Sequence, residues 1–208
     1  MLDHPIFLQS IALIRDKMRP NDLDPLQQQV LERMIHTSGD FGIQDLLRFS
    51  SGSCQKGLRA LQQGSTIIVD TSMAKEAIQP MSKRTINASV LNVLDWAPDK
   101  AEIGFTRTGL GMESLWKKLE LEKAGNVAPI VVIGSSPTAL EILLNLVSQG
   151  LKSPSLIVGM PVGFIGVQQS KDRLCKSNIP YIILNGSRGG AAVAASAINA
   201  LLRAASFE

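Results

Sequence analysis

The sequence predicts a three-layer α/β/α fold with a mainly parallel sheet of about five strands and additional N-terminal helices. Short apolar runs rich in β-branched residues alternate with segments of helical periodicity. The runs are apolar almost throughout, which is typical of parallel strands covered by helices on both faces. The length of 208 residues favours a single domain over residues 1–208.

Five runs are the predicted strands of this sheet. They are TIIVD at 66–70, SVLNVLD at 89–95, PIVVIG at 129–134, SLIVGMP at 155–161 and YIILNG at 181–186. The second run alternates apolar and polar residues, so it is the candidate edge strand. The segment DWAPDKAE at 95–102 is the best candidate for an exposed loop.

Glycines and hydroxyl residues mark the helices between the strands. The predicted helices are 53–64, 111–125, 136–150 and 189–205. Gly64, Gly125 and Gly150 end the first three, where a left-handed C-terminal cap favours glycine. Either Ser135 or Ser136 caps the first turn of the third.

Two further helices are predicted before the first strand. Residues 7–18 place apolar side chains on one stripe, and Ser10 and Arg15 flank that stripe on opposite sides. In the segment that follows, Asp24 is the candidate N-cap and Gly39 ends the helix.

His36, one of two histidines, falls in the last turn of this second helix and off its apolar face. The negative end of the helix dipole favours imidazolium there, so the position predicts a raised pKa. A histidine of that kind can donate a proton near neutral pH. The alternative is a surface histidine that completes a helix terminus.

Composition excludes several classes of protein. Apolar residues make up 45% of the chain and charged residues 19%, so the chain is not expected to be disordered. No apolar run is long enough to span a bilayer, and the first residues lack a secretory-signal pattern. The two cysteines, Cys54 and Cys175, are far apart, which argues against a disulfide framework or a zinc site and suits a reducing cytoplasm. A net charge of +3 with 4% aromatic residues disfavours nucleic-acid binding.

Ligands of parallel α/β sheets bind beyond the carboxyl ends of the strands. The segments expected there are small, hydroxylated and rich in glycine: DTSM at 70–73, TRTG at 106–109, GSSPT at 134–138, GMPVGFIG at 159–166 and NGSRGG at 185–190. Their N–H groups suit an anionic ligand, although each segment alone also reads as a tight turn. Neither a dinucleotide-binding glycine motif nor a P-loop occurs.

Taken together, the motifs resemble those of the precorrin-8X methylmutase family, including its members that act on cobalt-precorrin-8. The resemblance runs from about Ser10 to Leu202. It rests on RMIHTSGDF at 33–41, VDTSMA at 69–74, TRT at 106–108, GSSPTAL at 134–140, GMPVGFIG at 159–166 and SRGGAAVAASAINALL at 187–202. The combination of GMPVGFIG with PTAL is far more specific than any single glycine motif.

The resemblance implies an isomerase of cobalamin biosynthesis. In this family a methyl group migrates within ring C of the tetrapyrrole substrate, precorrin-8X or cobalt-precorrin-8, to give hydrogenobyrinic or cobyrinic acid. It implies no cofactor: neither a methyl donor, a nicotinamide nor a protein-bound metal takes part. It also implies a homodimer with the active site at the interface, and neither a nucleic-acid nor a membrane partner.

The resemblance assigns residues by motif position. His36 matches the family's histidine, which protonates the ring C nitrogen. Arg107 is the best candidate to pair with a substrate carboxylate, since guanidinium and carboxylate dock bidentately. For Arg107 and Arg188 the alternative is a salt bridge to a neighbouring Asp or Glu. The residues expected to bind substrate are Ser10, Arg15, Thr71, Ser72, Arg107, Thr108, Ser135, Gly159 and Arg188.

Two departures bear on substrate recognition. Relatives often have asparagine where this chain has Ser135, and many have a basic residue at the position of Ser187. The HTSGDF and VDTSMA motifs are closer to members of the cobalt route, which favours cobalt-precorrin-8. Two alternative functions stay open: a corrinoid carrier without turnover, and a nucleotide-binding α/β enzyme that uses NGSRGG and GSSPT.

Overall fold

A single mixed sheet organises the computed structural model, which describes residues 4–122 and 127–206. Its strand order is β1–β6–β5–β4–β2–β3. Strands β2 to β6 are parallel to one another, and β1 runs antiparallel to β6. The strands are β1 (Leu47–Phe49), β2 (Ile67–Val69), β3 (Val90–Asn92), β4 (Ile130–Ile133), β5 (Leu156–Gly159) and β6 (Tyr181–Leu184).

Helices surround this sheet. They are α1 (Pro5–Lys17), α2 (Pro25–Ser38), α3 (Ile43–Leu46), α4 (Ser53–Gln62), α5 (Ser72–Arg84), α6 (Arg107–Leu121), α7 (Pro137–Ser148), α8 (Val167–Cys175) and α9 (Ala191–Ala205). None of these helices is long and apolar enough to cross a membrane.

The layered α/β prediction is confirmed, because successive strand residues enter two separate cores. In β4, Ile130 and Val132 pack in one core, while Val131 and Ile133 pack in the other. Helices α2, α4, α5 and α9 cover the first face, and α6, α7 and α8 cover the second. Burial on both faces explains why the strands are apolar almost throughout.

Each predicted strand contains an observed one, and β3 lies at the sheet edge as expected. The second half of its run forms a 3-10 helix, Val93–Trp96, because the Asn92 side chain accepts a hydrogen bond from Leu94 N–H at 3.1 Å. Strand β1 was not predicted, since three residues carry too little periodicity to be distinguished. Residues 97–102 of the predicted loop lie outside helices and strands.

Most predicted helix ends are confirmed. Asp24 forms a capping box at the start of α2, and Gly39 ends it in the left-handed region with φ 66°. Gly64 and Gly150 have positive φ beyond α4 and α7, whereas Gly125 lies outside the described residues. Helix α6 begins four residues earlier than predicted, because the Thr106 hydroxyl accepts the Gly109 N–H at 3.1 Å.

The four-residue helix α3 was not predicted, and neither were α5 and α8. The latter two are mostly polar, and their buried faces are narrow; in α8 the buried residues are Val167, Ser170, Lys171 and Leu174. Burying a lysine and a serine on the inner face removes the apolar periodicity that reveals a helix in the sequence.

Candidate functional site

The carboxyl ends of the parallel strands carry a row of helix N-termini. Helix α5 follows β2, α7 follows β4, α8 follows β5 and α9 follows β6. Each helix begins with N–H groups and a partial positive charge that point beyond the sheet edge. This edge therefore suits a ligand that carries several negative charges.

Asp70, at the end of β2, organises this edge. Its buried carboxylate accepts N–H groups of Gly134, Ser135 and Ser136 at 3.1, 2.7 and 2.8 Å. Burial raises the pKa of Asp70, while the three backbone donors act in the opposite direction. Asp70 therefore holds the loop between β4 and α7. Sequence reasoning missed it, although an acidic residue directly after a buried strand was visible in VDTSMA.

A cluster of hydroxyls joins the first turns of α6 and α7. The Oγ1 atoms of Thr106 and Thr138 lie 2.6 Å apart, and Thr108 Oγ1 lies 2.7 Å from Ser136 Oγ. Ser136 Oγ is in turn 2.8 Å from Thr138 Oγ1. Thr108 is thus at the edge, where its hydroxyl already has a protein partner. Sequence reasoning singled out only Thr108 and Ser136 of this group.

Thr71 and Ser72 begin α5 at the same edge. Thr71 is the N-cap, and its hydroxyl accepts the Ala74 N–H at 3.2 Å. Ser72 Oγ accepts a hydrogen bond from the buried Asn92 side chain at 2.9 Å. Both hydroxyls therefore have structural partners.

Arg107 and Ser135 are exposed at this edge. Arg107 Nε donates to the Pro98 carbonyl at 2.9 Å. Within residues 4–122 and 127–206 no carboxylate pairs with Arg107, so the salt-bridge alternative is not observed for it. Ser135 is held by its N–H while its side chain faces outward.

Arg188 does form a salt bridge, as its alternative reading allowed. Its guanidinium pairs with Asp40 in the link between α2 and α3. Both residues line a cavity of about 360 Å³ together with Val162 and Phe164. Gly159, by contrast, is buried at the end of β5, where a Cβ would lie 2.8 Å from a Leu174 methyl group.

His36 lies exposed at the end of α2, and its ring meets the Phe7 ring edge-on at 5.2 Å between centroids. The prediction of a raised pKa is wrong. Partial burial of the ring and the positive charge of Arg33, one turn earlier, lower the pKa of His36. His36 shares a cavity of about 180 Å³ with Ser10 and Phe41.

Arg15 lies on the other side of α1 from Ser10. It donates to both oxygens of the buried Glu32 carboxylate, at 2.6 and 2.9 Å, and this contact raises the pKa of Arg15. It lines a separate cavity of about 330 Å³ with Arg33 and Arg203. Arg15 and His36 therefore line different cavities, and the guanidinium of Arg15 is already bound to Glu32.

The predicted residues thus fall into two neighbouring groups and two outliers. The edge group contains Thr71, Ser72, Arg107, Thr108, Ser135 and Arg188, and the second group contains Ser10 and His36. The Arg188–Asp40 pair links the two groups, since Asp40 follows the helix that carries His36. Arg15 lines a different cavity, and Gly159 lies at the end of β5 but is buried beneath the edge. The described residues contain no group of three or more His, Cys, Asp or Glu side chains suited to a metal.

The structure is that of an α/β protein whose sheet edge carries a row of helix N-termini, arginines and hydroxyls, which are groups suited to a polyanionic ligand. Comparison with known proteins is more specific. The protein-family model for precorrin-8X methylmutase matches residues 5–204 of this chain.

Relatives match over nearly their full lengths. A cobalt-precorrin-8 methylmutase of Synechocystis sp. is 36% identical, with 97% of this chain and 95% of the relative covered. A precorrin-8X methylmutase of Pseudomonas aeruginosa is 37% identical, with 94% and 93% covered. The solved precorrin-8x methyl mutase of Thermus thermophilus has a TM-score of 0.84 at 31% identity, with 97% and 96% covered. The chain belongs to the precorrin-8X methylmutase family, whose members are isomerases.

Proposed function

We propose that this protein catalyses methyl migration within ring C of precorrin-8X or cobalt-precorrin-8 and releases hydrogenobyrinic or cobyrinic acid. The observation that carries the proposal is the position of His36. It is accessible, shares a cavity with Ser10, and is linked through Asp40 and Arg188 to the edge of helix N-termini. In a chain of this family, that arrangement sets one proton donor beside a polyanion-binding surface.

His36 acts in this proposal as the general acid toward the ring C nitrogen. A lowered pKa makes imidazolium a stronger acid but reduces the protonated fraction near neutral pH. The carboxylates of a bound tetrapyrrole offset this effect, because negative charge near the ring favours imidazolium. Substrate binding would thus charge the acid that the reaction uses.

The edge group binds the acid side chains of the substrate. Arg107 is exposed and unpaired with any carboxylate in the described part of the chain, so a substrate carboxylate can dock on its two Nη groups without breaking a salt bridge, while Nε stays on the Pro98 carbonyl. The Arg188 guanidinium either exchanges Asp40 for a substrate carboxylate or binds both carboxylates at once. Ser10, Thr71, Ser72, Thr108 and Ser135 supply hydroxyls, while Arg15 and Gly159 contribute less directly because of their positions.

The active unit is a homodimer with its site at the interface. Three apolar side chains of the GMPVGFIG loop support this, since Val162, Phe164 and Ile165 are 49%, 90% and 89% exposed. Such a patch beside a crevice is typical of an interaction surface. The protein works in the cytoplasm, which suits its free cysteines. We favour cobalt-precorrin-8 as substrate on the HTSGDF and VDTSMA motifs.

An anaerobic absorbance time course tests the proposal. Purified protein is mixed with precorrin-8X or its cobalt form, beside His36→Ala and the matched control His4→Ala. Wild type and His4→Ala should convert the spectrum to that of the corrin, while His36→Ala binds without conversion. Unchanged turnover in His36→Ala would refute the role of His36 as the general acid.

The two alternatives give different results. A bound but unchanging spectrum in all three proteins would indicate a corrinoid carrier. Thermal stabilisation by a nucleotide, with none by corrinoids, would indicate the nucleotide-binding alternative.

A further inference from the structure

Lys171 is a completely buried lysine on the inner face of α8. Its Nζ donates to the carbonyl of Gly186 at 2.8 Å and to the carbonyl of Arg188 at 2.7 Å. Among residues 4–122 and 127–206, no carboxylate lies within salt-bridge distance of it. Burying an ammonium without a counter-charge is costly, so a lysine here calls for a reason other than core packing.

Helix α8 grips the loop 185–190 at a second point. Gln168 Oε1 accepts the Gly186 N–H at 2.6 Å. The loop is also joined to the preceding one, because the Ser187 carbonyl accepts the Gly163 N–H at 3.1 Å and the Met160 carbonyl accepts the Gly190 N–H at 3.0 Å. A sequence as flexible as NGSRGG has little conformational preference of its own, so these contacts set its shape.

The loop carries Arg188 toward the candidate site. Its guanidinium pairs with Asp40, whose carboxylate also accepts the Gly42 N–H at 2.8 Å. Asp40 lies four residues after His36. A continuous set of contacts therefore runs from Lys171 through Arg188 to the end of the helix that carries His36.

We propose that Lys171 is a positioning residue, which fixes the loop 185–190 so that Arg188 meets a substrate carboxylate; the inference rests on the proposed function. Lys171 itself touches no substrate, because its ammonium is enclosed by α8 and the loop. Without it, the carbonyls of Gly186 and Arg188 lose their common donor and the loop adopts several conformations. Arg188 is then in place for only part of the time, which weakens substrate binding.

The test compares Lys171→Met with Lys176→Met, a matched change at an exposed lysine that ends the same helix. Lys171→Met should raise KM about tenfold or more while kcat changes less than about threefold, as for loss of a binding contact. Lys176→Met should leave both constants unchanged. Lys171→Met in an Arg188→Ala background should add less than about twofold, because both changes remove the same contact.

Two measurements keep the inference separable from the proposed function. Hydrogen exchange of the amides of residues 186–190 needs no turnover, and it should accelerate in Lys171→Met but not in Lys176→Met. If the wild-type protein does not convert substrate while this acceleration is seen, the proposed function is refuted and the role of Lys171 in fixing the loop 185–190 is retained. Unchanged exchange, or a KM equal to that of Lys176→Met, would overturn the inference.

A milder variant covers the case in which Lys171→Met does not fold. Gln168→Met removes the acceptor of the Gly186 N–H from a less buried position and loosens the same loop. It should raise KM and accelerate loop exchange in the same direction by smaller factors. A Gln168→Met protein with wild-type KM and wild-type exchange would refute the gripping role of α8.

Discussion

Replacing Asp70 tests whether one buried carboxylate holds the site edge together. The Oδ1 atom accepts the Gly134 N–H, and Oδ2 accepts the N–H groups of Ser135 and Ser136. In Asp70→Asn, the amide oxygen can take the Oδ2 position and keep two bonds. The amide NH2 then faces the Gly134 N–H, so one bond is lost and two donors are opposed.

The expected cost follows from this geometry. One lost bond to a charged acceptor and one unsatisfied buried donor reduce the free energy of unfolding by about 2 kcal/mol in Asp70→Asn. Asp70→Ala removes all three bonds and should cost about 4 kcal/mol. Asp95→Asn is the control, since Asp95 is exposed and pairs with Lys75 at 3.3 Å, and it should change stability by less than about 0.5 kcal/mol.

Urea denaturation followed by circular dichroism measures these differences. The order Asp95→Asn, Asp70→Asn, Asp70→Ala should appear as successively lower midpoints with unchanged slopes. An Asp70→Asn midpoint equal to that of Asp95→Asn would refute the reasoning, because the lost bond to the Gly134 N–H would then contribute nothing.

Three further predictions concern titration and reactivity. Burial lowers the pKa of Lys171 to about 8 from 10.5, so the unfolded chain binds more protons between these values. The free energy of unfolding of wild type, measured relative to Lys171→Met, should therefore rise with pH across this window; a flat difference would contradict it. Arg33→Gln removes a positive charge that lowers the pKa of His36, so the NMR titration of that ring should move to higher pH, and no movement would dismiss the Arg33 contribution. Burial raises the pKa of the Cys54 thiol to about 12, so iodoacetamide should label half-buried Cys175 first and reach Cys54 only on unfolding.

The layered fold was predictable because its strands are buried on both faces. Burial of that kind leaves continuous apolar runs such as PIVVIG, and the caps at Asp24, Gly39 and Ser136 define helix ends locally. Among the elements that were not predicted, β1 and α8 depend on tertiary context. The first is a short strand paired with distant β6, and the second buries a lysine.

The candidate site was predictable where motifs carry its residues and not where partners are distant in sequence. His36 and Ser10 were named and share a cavity. The contact between Arg15 and Glu32 joins residues 17 positions apart, and the one between Lys171 and the carbonyl of Arg188 joins residues 17 apart through the protein interior. The predicted direction of the pKa shift of His36 was wrong because burial of the ring depends on packing, whereas the charge of Arg33, one turn earlier in the same helix, was visible in the sequence and was not considered.

The central claim is that this protein moves a methyl group within one ring of a tetrapyrrole. The most direct measurement is carbon NMR of the reaction with substrate carrying a 13C-labelled methyl group on ring C, under anaerobic conditions and without a methyl donor. The account predicts that the label is retained in full and appears on the neighbouring ring carbon of the product. A label that stays on its original carbon when the protein is in excess over substrate would contradict it.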